Sequence, residues 1–78
     1  MGFKKVKSGL SRTGKVQDTY KDGRNTLVVC GNRGALVNSS GVKKVIVVVH
    51  GDTVSVEQEM TSFLPAGNMV QDWLNGGS

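Results

Sequence analysis

One thiol, Cys30, and one imidazole, His50, are the side chains of this 78-residue sequence best suited to nucleophilic or soft-metal chemistry. They occupy equivalent places in two near-repeats, Leu27-Val28-Val29-Cys30-Gly31-Asn32-Arg33 and Val47-Val48-Val49-His50-Gly51-Asp52-Thr53. A structural zinc needs four ligands, and a nucleophilic cysteine needs a base and a group to orient it. The sequence offers neither set. Asp52, Glu57, Glu59 and Asp72 show no spacing that singles out an acid–base pair. No catalytic residue, metal site or cofactor is therefore expected, and the chain reads as a binder or assembly component rather than an enzyme.

Glycine-rich segments carry little more chemistry. Gly31-Asn32-Arg33-Gly34 has the G-x-x-G form with which KH domains clamp a nucleic-acid backbone, but those loops join helices, and here the flanking run is strand-like. The better reading is a hairpin turn with Arg33 at its tip, where it can touch a phosphate. Neither G-x-G-x-x-G nor the P-loop spacing occurs.

Electrostatics gives the strongest functional signal. Residues 1–25 hold Lys4, Lys5, Lys7, Arg12, Lys15, Lys21 and Arg24 against Asp18 and Asp22, a net charge of +5. The remainder holds Arg33, Lys43 and Lys44 against four carboxylates, so the excess of +4 lies in the N-terminal third. A basic segment of this kind meets phosphate or an acidic partner. Tyr20 is the aromatic that falls both on an expected strand and within the basic third, and is a candidate for base stacking. If the sheet curls, Lys43 and Lys44 join the cluster. The expectation is a small basic module that binds RNA or single-stranded DNA through its backbone with little sequence preference. Phage, viral or mobile-element accessory proteins are the kind of protein it suggests. The rival is a protein–protein module, either a virion component or an inhibitor that docks on an acidic host protein.

These residues must be positioned by β structure. β-Branched runs suit a pleated, half-buried surface, and Gly supplies the positive φ of a tight reversal. Turn signals at Lys21-Asp22-Gly23-Arg24, Gly31 to Gly34, Asn38 to Gly41 and Gly51-Asp52 separate expected strands at 15–20, 26–30, 35–37, 43–49 and 54–58. The apolar run Val45 to Val49 predicts a central strand, buried on both faces or between the sheet and a helix. Helical spacing of Val56, Met60, Phe63 and Leu64 predicts a turn of helix over 59–64. Asn68 with Gln71 forms a capping box, and Met69, Val70, Trp73 and Leu74 make an apolar stripe, predicting a closing helix over 68–75.

Phe3, Val6 and Leu10 recur at helical spacing among lysines, so 1–13 reads as a short helix or a basic arm ordered on binding. The fold class is mainly β (α+β): one domain of about five short antiparallel strands in a small barrel or curled sheet, with a basic N-terminal arm over 1–13, a β meander over 14–60 and a helical segment over 61–78. So small a core gains from burying an edge against a copy of itself, which favours a homo-oligomer. The lone cysteine favours a reducing, cytoplasmic or virion setting. No run approaches the ~18–20 residues of a membrane-spanning helix, and no signal-peptide core follows Met1.

Overall fold

A computed structural model describes residues 2–11, 14–39, 41–63 and 72–74, with 61–63 described by backbone alone. Six strands run β1 (Phe3–Leu10), β2 (Val16–Asp22), β3 (Asn25–Cys30), β4 (Arg33–Asn38), β5 (Gly41–His50) and β6 (Thr53–Phe63). Each pairs antiparallel with the next, and β1 returns to β6 to close a barrel. The small β-barrel expected from the turn signals is what forms.

Two-residue reversals set the registers. Asp22 pairs with Asn25, Cys30 with Arg33, and His50 with Thr53, which leaves Gly23-Arg24, Gly31-Asn32 and Gly51-Asp52 as the turns. In each, the leading glycine has φ near +60° to +66° and the residue after it is not left-handed. That is the pattern of a type II′ hairpin, whose twist matches the flanking strands. The two near-repeats therefore do the same job. The turns are tighter than the sequence implied, because Asp22, Arg33 and Gly34 are drawn into strands.

Side-chain alternation then decides what is inside. Tyr20, Leu27, Val29, Val45, Val47 and Val54 form the barrel core, with Phe3, Leu36 and Val56 packed against it. Burying one such Val or Leu contributes about 1.5–3 kcal/mol. Gly34 shares this inward register, since Val29, Gly34 and Val45 face one another across β3, β4 and β5. A Cβ added there would lie 2.9 Å from Val45 Cγ2, 3.0 Å from Leu27 Cδ1 and 3.2 Å from Val47 Cγ1. The glycine thus lets three core side chains meet.

Three sequence expectations change. Residues 3–10 form a strand, not a helix or loose arm, because their backbone pairs with β2 from Lys4↔Lys21 to Leu10↔Val16. An extra residue, Val6, bulges between Lys5 and Lys7, which breaks the strict two-residue period and made the segment look helical. This strand raises the count from about five to six. The helical turn foreseen over 59–64 is strand through Phe63, since Ser62 and Phe63 pair with Lys43 and Val42. Ladder pairing outweighs a weak local helical period. Finally, Val45 and Val47 are buried but Val48 and Val49 are exposed, so the apolar run is doubly covered only in its first half. Of the closing helix, 72–74 is helical, and the rest of 68–75 lies outside the described residues.

Gly34→Ala should lower stability by about 1–3 kcal/mol through overpacking. A denaturant midpoint equal to that of the parent protein would show that Leu27 and Val45 give way freely.

Candidate nucleic-acid interface

Strand alternation sorts the charged side chains of the N-terminal third by face. On β2, Asp18, Tyr20 and Asp22 share the inward register, and Gln17, Thr19 and Lys21 the outward one. Lys21 lies opposite Lys4, and Thr19 opposite Lys7, so the outer face of the β1–β2 hairpin carries Lys4, Lys7 and Lys21 together. Arg24 extends the patch at the exposed β2–β3 turn. None of these four is in an ion pair among the described residues. Both carboxylates of the segment are on the other register. Asp18 there accepts a hydrogen bond from the Ser8 hydroxyl and lies 3.6 Å from Lys5 Nζ.

Lys5 is therefore separated from its neighbours. It sits opposite Tyr20, with Nζ 6.0 Å from the ring centroid, and its charge is compensated by Asp18. Tyr20 itself is 0% exposed in the barrel core, so it offers no face to a nucleic-acid base. Its place on the inward register overrides the stacking role that its type and neighbourhood suggested. The phenol oxygen finds no hydrogen-bond partner among the described residues.

The later cations serve other contacts. Lys43 makes a 2.8 Å ion pair with Glu59 across β5 and β6. Arg33 is not at a turn tip but at the start of β4, with its guanidinium carbon 4.5 Å from the Trp73 ring centroid and Nη1 donating to the Trp73 carbonyl at 3.2 Å. Lys44 approaches the same ring at 5.4 Å. Trp73 Nε1 donates to the Gly34 carbonyl at 2.8 Å, and the indole is 7% exposed. Trp73 and Leu74 thus cover Cys30, Ala35 and Val42 on the outside of the barrel, with Val28, Val37 and Ile46 alongside. Each of the two cations beside this largely buried indole contributes about 0.5–2 kcal/mol. Lys15, also on the exposed side, borders a cleft of about 370 Å³ with Arg33, Asn32 and Leu74. Arg12 lies outside the described residues.

A groove of about 240 Å³ lies beside Lys7, lined also by Gly9, Leu10, Gln17, Thr19 and Val28. Gly9 has no neighbour within 4 Å of where a Cβ would stand, so the groove is open above it. Gln17 and Thr19 supply uncharged donors and acceptors there. Sequence reasoning missed these two residues because it followed charge. The alternation Gln17-Asp18-Thr19-Tyr20-Lys21 held the signal, once its inward register is known.

Cys30 and His50 do not meet. Cys30 is level with Ile46 across β4, and His50 is four residues further along β5, which separates them by about 15 Å on the sheet. Among the described residues no cluster of His, Cys, Asp and Glu is arranged to hold a metal ion. No helix among them is long and apolar enough to cross a membrane. Comparison with known proteins finds no family model, curated protein or solved structure that matches this chain.

Tyr20→Phe should leave stability unchanged or raise it by up to about 1 kcal/mol, because it removes a buried hydroxyl with no partner among the described residues, whereas Tyr20→Ala should cost about 3–5 kcal/mol. Equilibrium unfolding of the pair checks the core assignment; a large loss in Tyr20→Phe would reveal a hydroxyl contact that matters. Trp73→Phe keeps most of the apolar cover but loses the donor to Gly34, and should cost about 1–3 kcal/mol by the same measurement.

Proposed function

We propose that the outer face of the β1–β2 hairpin binds the phosphate backbone of RNA or single-stranded DNA with little sequence preference, and that the protein acts without catalysis. One observation carries the reading: Lys4, Lys7 and Lys21 share a face from which Asp18 and Asp22 are turned away. Uncompensated cations on a rigid sheet release counterions when they meet phosphates, and that supplies affinity without choosing sequence. The groove beside Lys7 favours single strands, since an unpaired base can enter it and be met by Gln17 and Thr19. Arg24 extends the track, while Lys5, Lys43 and Tyr20 are left out of it. A single buried cysteine suits work in a reducing cytoplasm or a virion.

Four contacts on a single strand give a log–log salt slope of about −3, at about 0.7 per phosphate. Lys7→Gln and Lys21→Gln should each flatten that slope by about 0.7, and Lys5→Gln should leave it unchanged. Fluorescence titrations of a labelled oligonucleotide over a range of salt test this. Equal effects from Lys5 and Lys7 would dissolve the distinction between faces. Capture of one acidic protein from lysate, indifferent to nuclease, would replace the nucleic-acid reading with the docking one.

A further inference from the structure

Barrel closure uses very little of the two strands that perform it. β1 meets β6 only at Phe3↔Val54 and Lys4↔Thr53, extended by the Lys5 N–H donating to the Asp52 carbonyl at 2.9 Å. Because the strands are antiparallel and staggered, each then runs past the end of the other. Among the described residues, Val6–Leu10 of β1 is paired only with β2, and Ser55–Met60 of β6 only with β5. Each is a sheet edge whose outward N–H and C=O groups are a template for another strand. Ser11 N–H donates inward to the Lys15 carbonyl, so by alternation the N–H groups of Ser8 and Leu10 point to the open side.

We infer that these two edges bind each other between copies, β1 of one molecule adding antiparallel to β6 of the next. The edges are complementary in charge. The β1 edge carries Lys7 with Lys4 behind it, and the β6 edge carries Glu57, while Lys5 and Glu59 on these strands are already paired within the barrel, with Asp18 and Lys43. Two β1 edges would set lysines against lysines, and two β6 edges glutamates against glutamates. Like charges directly opposite weaken a strand pair, so the mixed pairing is favoured over either like pairing. Apolar surface falls on the same edges: Leu10 is 70% exposed, Val6 56% and Met60 40%. The new seam also continues the polarity of the one inside each barrel.

Pairing unlike edges is heterologous and leaves one edge of each kind at the ends of a dimer, so assembly proceeds to a ring or a filament instead of stopping at two. It does not depend on nucleic-acid binding and is tested on nuclease-treated protein. Sedimentation from micromolar to millimolar concentration should show mass growing beyond a dimer, less so at high salt. Lys7→Glu and Glu57→Lys should each weaken association about five- to tenfold, and the double variant should recover most of the loss. Leu10→Pro, which removes an outward N–H at an edge that tolerates proline, should also weaken it. Circular dichroism of each variant establishes that the barrel is intact, and the parent protein by itself decides the main point. A monomer throughout, or a dimer that saturates, overturns the inference, as does a double variant no better than either single one.

Discussion

A single antiparallel strip of six strands has one apolar face, and that face is hidden only because the strip closes on itself. Closure rests on Phe3 and Lys4 meeting Val54 and Thr53. It brings Phe3 against the core that Tyr20, Leu27, Val45 and Val54 build from four other strands. An open strip would leave those side chains wet, losing most of the hydrophobic stabilisation a chain of this length can gather. Gly34 belongs to the same constraint: the ring is narrow enough that β4 cannot carry a side chain where Val45, Val47 and Leu27 converge. A six-stranded barrel has an interior for side chains and nothing more.

Closure also distributes charge. Once one face of each strand is committed to the interior, the two-residue period assigns every neighbouring charge to a side. Asp18 goes inward with Lys5 and Ser8, and Lys4, Lys7 and Lys21 go outward together. The bulge at Val6 is what places Lys7, and not its neighbour, opposite the outward Thr19. A hairpin of mixed charge thereby acquires an outer face of one sign. The functional proposal depends on this sorting more than on the total charge.

The outside of β3–β5 is treated differently. Small or apolar residues there, Cys30, Ala35 and Ile46 among them, are covered by Trp73 and Leu74, and the indole is fixed by its bond to the Gly34 carbonyl. Gly34 therefore serves both sides of the sheet, by its missing side chain within and its carbonyl without. Arg33 and Lys44 flank the indole and are committed to holding the cover. The barrel thus has a covered outer wall on β3–β5 and a cationic one on β1–β2.

Local chemistry was legible where a short segment specifies its own conformation. Gly23, Gly31 and Gly51 announce tight reversals because few other residues accept a positive φ, and the valine-rich runs between them announce strands. The β class and the hairpin order followed from that, and the burial of Trp73 from the apolar stripe it shares with Leu74. Residues 3–10 and 59–63 are ambiguous in sequence because their apolar spacing fits a helix as well as a bulged strand, and only pairing with β2 and β5 separates the two. The candidate site was legible as a set of cations but not as an arrangement. Which of Lys4, Lys5 and Lys7 point together, whether Tyr20 is a platform or a core residue, and what Arg33 touches all depend on strand register. Register is fixed by which face the closed barrel buries, a property of the whole chain and not of any segment in it.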